Sequence, residues 1–81
     1  MRIRLLHFAS FRDAVGRDEE LKELPEGARI SDLWTALARE VPLFSRFPSA
    51  PPAAVNREHA TGDAVLRDGD EVAFLPPLAG G

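Results

Sequence analysis

Arg2-Ile3-Arg4-Leu5 alternates charged with apolar side chains, and a two-residue period of this kind is met by a β-strand with one buried face. A sheet built on such a strand needs a second layer over its apolar side. The sequence offers that layer between Ser31 and Glu40. Leu33, Trp34, Leu37, Ala38 and Val41 recur at i, i+1, i+4, i+5 and i+8, which draws one apolar stripe along a helix, and Pro42 ends it. Ser31 is placed to act as the N-cap, and Asp32 faces the positive end of the helix dipole. Trp34 lies on the stripe and is read as core, not as a ligand platform.

The remaining elements follow from shorter signals. The first strand runs from Arg2 to Phe8, with His7 continuing the buried face, while Leu6 and Phe8 replace the arginines on the outer face. An apolar outer end of this kind is either covered by a loop or kept for a partner. Ala9 to Val15 forms a single helical turn or a loop, closed by Gly16. Glu19 to Leu24 is a second strand, of imperfect alternation, with Leu21 and Leu24 as its apolar members. Pro25-Glu26-Gly27 makes a turn. Pro42 to Pro52 is an irregular loop pinned by Phe44 and Phe47. Ala53 to Arg57 is a third strand, Thr61-Gly62-Asp63 a turn, and Asp68-Gly69 the tight turn before a last strand, Val72 to Leu75.

Strand, strand, helix, strand, short elements and strand make an α+β domain over 1–81, a mixed sheet with one main helix on one face. The first and last strands are expected side by side in the middle. Val72 and Phe74 then join Ile3, Leu5, Leu33, Trp34 and Leu37 in the core, and alternation puts Leu75 on the outer side with Phe8.

Composition removes several functions. With 81 residues, the chain buries only about 60% of its unfolded surface, which leaves little room for a deep pocket. A net charge of −3 lacks the basic face that nucleic acids require. The absence of cysteine excludes disulfides, a thiolate nucleophile and a sulfur-bound metal. No apolar run suits a signal peptide or membrane span, so a cytoplasmic protein is expected, with neither nucleic acid nor membrane as partner. Lys22 is the one lysine beside nine arginines.

Side-chain chemistry is sparse. His7, Ser10 and Asp13 have the residue types of a triad but no spacing that aligns them. Asp68, Asp70 and Glu71 stand where a turn itself calls for carboxylates, and His59 has no second histidine at metal spacing. What remains is the ending Pro76-Pro77-Leu78-Ala79-Gly80-Gly81. The prolines would hold residues 76–81 off the body as an arm, and two glycines without Cβ atoms could thread a narrow channel. The reactive group is then the Gly81 carboxylate, which must be activated by another protein, most simply as a mixed anhydride with AMP.

Leu66-Arg67-Asp68-Gly69-Asp70-Glu71-Val72-Ala73-Phe74-Leu75-Pro76-Pro77-Leu78-Ala79-Gly80-Gly81 resembles the ending of the small subunits of molybdopterin synthase. Phe8-Ala9-Ser10-Phe11-Arg12-Asp13-Ala14-Val15-Gly16 resembles the segment after their first strand, and Ala54-Val55-Asn56 their third strand. The resemblance implies a ubiquitin-like β-grasp fold and a sulfur carrier. Gly81, presented with Gly80, would be adenylated with ATP by an E1-like activating enzyme and thiocarboxylated from a persulfide protein. It would then enter the large synthase subunit, whose side chains catalyse sulfur transfer to cyclic pyranopterin monophosphate. By the same resemblance Phe8, His59 and Leu75, together with Pro76, Pro77, Leu78 and Ala79, face the partner. The assembly is expected to be two small and two large subunits, with no cofactor bound to this chain. Three alternatives remain open: a sulfur carrier for thiamine or tRNA thiolation, a modifier joined to lysines, and a plain interaction module.

Overall fold

The computed structural model describes residues 1–76. Along the chain lie β1 (Arg2–Leu6), α1 (Ala9–Val15), β2 (Glu19–Glu23), α2 (Ile30–Glu40), a 3₁₀ turn at Phe44–Arg46, β3 (Ala53–Val55), β4 (Glu58–Ala60) and β5 (Glu71–Phe74). The strands form one sheet in the order β2-β1-β5-β3-β4. β1 and β5 run parallel, with Leu5 opposite Val72, and the other pairs are antiparallel. The mixed sheet, the main helix on one face and the adjacency of first and last strands are all as the alternation implied.

The core lies between the inner face of the sheet and α2. Ile3, Leu5, Ala53, Val72 and Phe74 project from the sheet onto Ile30, Leu33, Trp34 and Leu37. Trp34 stacks on Phe44 at 4.8 Å between ring centroids and meets Phe74 edge-on at the same distance. Phe11 closes the cluster, edge-on to Phe44 at 4.8 Å. Such tilted and edge-to-face pairs suit the ring quadrupoles and add to the area each ring buries.

Five details depart from the sequence reading. β1 stops at Leu6, and the peptide N–H of His7 is instead bonded to the Asp18 carbonyl at 2.8 Å. Residues 9–15 form a complete short helix, because Phe11 is drawn into the aromatic cluster and Gly16, at φ 88°, caps the end in the left-handed region. The imperfect alternation of the second strand is resolved with Leu21 on the outside. Leu21 pairs with Arg4 and shares that residue's outward face, leaving it 62% exposed, while Glu20 and Lys22 take the inner positions opposite Leu5 and Ile3. At this edge of the sheet α2 presents Glu40 and not an apolar side chain, so a lysine fits where a leucine would have no cover.

Ser31 is not the N-cap either. α2 begins at Ile30, which the core buries completely, so the cap falls on Arg29; its N–H is accepted by the Asp32 carboxylate at 2.8 Å. The Ser31 N–H goes to the Gly62 carbonyl. Finally, the third strand is cut at Val55. Asn56 and Arg57, at φ 52° and 72°, make a two-residue turn into β4, the primed geometry that matches strand twist. Asn56 locks this turn to the head of β5, donating to Asp70 Oδ1 and accepting from the Glu71 N–H, both at 2.9 Å.

A polar chain crosses the inner face at the β2 edge. His7 Nε2 lies 2.8 Å from Glu20 Oε2, Glu20 Oε1 lies 3.4 Å from Lys22 Nζ, and Lys22 donates to Glu40. Partial burial pushes the Glu20 carboxyl upward, but the His7 hydrogen bond and the Lys22 charge outweigh it and hold the pKa below its ordinary 4.5. A depressed carboxyl pKa stabilises the fold above the unfolded value and loses that contribution as pH falls through the folded one.

Two outcomes follow for stability. Phe11→Ala should lower the unfolding free energy by about 3–5 kcal/mol in denaturant titration, because a fully enclosed ring leaves a cavity. Glu20→Gln should cost about 1–2 kcal/mol near neutral pH, where a charged hydrogen bond is lost. The gap from the parent chain should shrink as pH is taken below 4.5, measured as unfolding midpoints across an acid series.

Candidate functional site

Alternation that buries Ile3, Leu5, Val72 and Phe74 turns their neighbours to the opposite face. Leu6, Ala54 and Ala73 come together there and form a shallow groove with Phe8 and Leu75, bordered by Arg4, Arg57 and Glu71. Phe8 is 48% exposed and Leu75 36%, large apolar side chains that the fold leaves in water. An apolar patch rimmed by charge is the surface pattern of a docking site. Arg4 is held among carboxylates, donating to Glu19 and, at 3.1 Å, to Glu71, and the hydrogen bond to Glu19 raises its pKa further. The rim charges are therefore fixed in place around the apolar floor.

Leu75 also lines a second groove with His59, Pro76, Phe47 and residues 48–52. His59 belongs to β4 and pairs with Ala54, so it stands on the outer face, exposed, beside the foot of the departing chain. The exit itself has a backbone cause. Phe74 pairs with Ala53, the Leu75 N–H reaches the Pro52 carbonyl at 2.8 Å, and Pro76 has no N–H with which to continue the ladder. Among the described residues the ladder ends here, next to both grooves.

Phe8, His59, Leu75 and Pro76 are thus gathered at one end of the outer face. Pro77, Leu78, Ala79, Gly80 and Gly81 lie outside the described residues. Leu6 was legible as an outer apolar residue, but Ala54, Ala73 and Arg57 were not singled out. Alternation from Phe74 could have found Ala73; Arg57 depended on a hairpin whose Asn-Arg turn carries no glycine.

His7 is buried against Glu20, whereas Ser10 and Asp13 are exposed on α1. Asp68 accepts the Arg2 N–H at 2.7 Å, Asp70 accepts the Arg67 N–H at 2.8 Å, and Gly69 supplies φ 86°, so the acidic run serves its turn. Among the described residues no three of His, Asp and Glu converge as metal ligands, and no helix is long and apolar enough to cross a membrane.

A family profile described as the ThiS family matches residues 5–81. The chain is 36% identical to the molybdopterin synthase sulfur carrier subunit of Chlamydomonas reinhardtii, with 100% of both chains covered. It is also 36% identical to the protein of that name from Escherichia coli (strain K12), over 98% of this chain and 99% of the other. Among solved structures, the putative molybdopterin converting factor, subunit 1, from Pyrococcus furiosus superposes with a TM-score of 0.85 at 34% identity, covering 96% of this chain and 99% of that one. The architecture is the ubiquitin-like β-grasp that the sequence resemblance implied.

If the outer patch is a surface kept for contact and not a part of the core, Phe8→Ala should shift unfolding free energy by no more than about 0.5 kcal/mol. Urea titration checks this directly; a loss approaching that of Phe11→Ala would mean that Phe8 is holding the fold.

Proposed function

The chain belongs to the ThiS family, and on that premise we propose that it is the sulfur-carrier subunit of a molybdopterin synthase. The observation that carries the reading is the apolar outer face at the foot of the chain exit, in a protein aligned end to end with curated carriers. A carrier needs two things of its body: a surface that a partner recognises, and an extended segment that starts beside it. Leu75 serves both, since it lines the two grooves and precedes Pro76.

The working group is the Gly81 carboxylate. A carboxylate is a poor electrophile at neutral pH, so an E1-like enzyme joins it to AMP at the expense of ATP, releasing pyrophosphate. Sulfur from a persulfide protein then displaces AMP, and cleavage of the acyl disulfide by a thiol leaves the thiocarboxylate. Phe8, His59 and Leu75 seat the carrier on the large subunit, and the arm through Pro77, Leu78, Ala79 and Gly80 places the sulfur in that subunit's active site. Two deliveries to cyclic pyranopterin monophosphate complete the dithiolene of molybdopterin. Catalytic side chains come from the large subunit, in an assembly of two small and two large subunits. Glycine at the last two positions lets the main chain pass where a Cβ would obstruct it.

Incubation with activating enzyme, ATP and a persulfide donor should raise the intact mass by the difference between one sulfur and one oxygen. No such gain with an enzyme proven competent on another carrier sinks the reading, and cellular lysines carrying the peptide 68–81 of this chain through an isopeptide bond would favour a modifier. Phe8→Ala with Leu75→Ala should weaken binding to the large subunit by about 2 kcal/mol or more, since truncated aromatic anchors dominate such interfaces. Isothermal calorimetry reads that loss.

A further inference from the structure

Neither the core nor the docking face uses Lys22, the one lysine of the sequence. It sits in the inner row of edge strand β2, opposite Ile3, with its side chain 18% exposed. Its Nζ donates to Glu40 at the end of α2 and lies 3.4 Å from Glu20 Oε1. Glu20 is itself fixed from the other side by His7 Nε2 at 2.8 Å. Two carboxylates from two elements therefore close around one ammonium, and the buried histidine keeps the Glu20 carboxylate in position.

Carrier chemistry gives this arrangement a consequence. An acyl-adenylate is open to any neutral amine: the nitrogen lone pair forms the new C–N bond, AMP departs with the electrons of the broken C–O bond, and the nitrogen releases a proton. Thiocarboxylate formation requires the adenylate to survive until a sulfur nucleophile arrives. Protonated lysine has no lone pair to offer, and one held between carboxylates must break both contacts to expose its nitrogen.

We infer that the fold disarms its own lysine, so that the activated Gly81 of one copy is not captured as an isopeptide by another copy of this chain. The inference rests on the carrier reading above for its biological sense, but its structural content can be measured without any activation step. Burial works against the charge on Lys22, yet the hydrogen bond to Glu40 and the charges of Glu20 and Glu40 more than offset it, and its pKa stands above the ordinary 10.5. The preponderance of arginine elsewhere fits the same requirement, because a guanidinium stays protonated and is a negligible acyl acceptor.

Acetylation by an N-hydroxysuccinimide ester at mildly alkaline pH, followed residue by residue with mass spectrometry, provides the test. The reference is a Lys22→Arg chain carrying Arg17→Lys, since position 17 is exposed in the bend after α1. Lys22 in the folded parent should react severalfold more slowly than that reference lysine, because its contacts to Glu20 and Glu40 must break before the nitrogen is exposed. Glu40→Gln, an exposed and structurally mild change, should speed Lys22 labelling severalfold, and in urea the difference should vanish. Labelling of Lys22 in the folded parent at the reference rate overturns the inference. So does a covalent dimer joined through Lys22 after incubation with activating enzyme and ATP without sulfur donor. Failure to release pyrophosphate in that incubation would instead sink the carrier reading, while the acetylation rates still decide the state of Lys22.

Discussion

β1 and β5 pair in parallel at the middle of the sheet, and a parallel pair cannot be joined by a hairpin, so the chain between them must cross over. Nearly all of the molecule is that crossover. It leaves β1 through α1 and β2, covers the inner face with α2, fills the flank with Phe44 and Phe47, and returns along β3 and β4 to the other side of β5. The aromatic cluster of Phe11, Trp34, Phe44, Phe47 and Phe74 ties these segments to one another and to the central strand. With no disulfide available, the packing of this one face bears the stability.

Closing one face leaves the other bare. Because side chains alternate strictly, the same register that buries Phe74 presents Leu75, and the same strand that buries Leu5 presents Leu6. The apolar outer face is therefore a by-product of the core register and cannot be shifted without unpacking it. Pro76, which has no N–H to extend the ladder, follows the end of the central strand beside that apolar surface. A carrier needs little more than this from its body.

The inner face has its own exception at the β2 edge, where α2 runs out of apolar cover. Glu20, Lys22 and Glu40 fill the gap with paired charge, backed by buried His7. Charged inward positions on an edge strand also discourage pairing with another chain. One arrangement thus guards the sheet edge and occupies an amine that carrier chemistry has reason to keep quiet.

Elements with strong local periodicity were legible from residues alone. Ile3 and Leu5, the stripe of α2 from Leu33 to Ala38 and the Asp68-Gly69 turn each follow from side-chain spacing and turn chemistry, which the local backbone geometry enforces. The family was legible too, through the Leu66 to Gly81 ending. Tertiary structure decided the rest. Leu21 faces water because its pairing with Arg4 sets it on the outer face, α2 starts at Ile30 because the core claims that residue ahead of Ser31's capping preference, and Phe11 turns an ambiguous segment into a helix by entering an aromatic cluster assembled from distant parts of the chain. Local spacing names the face a residue shares with its neighbours; only contacts between remote segments decide whether that face is covered.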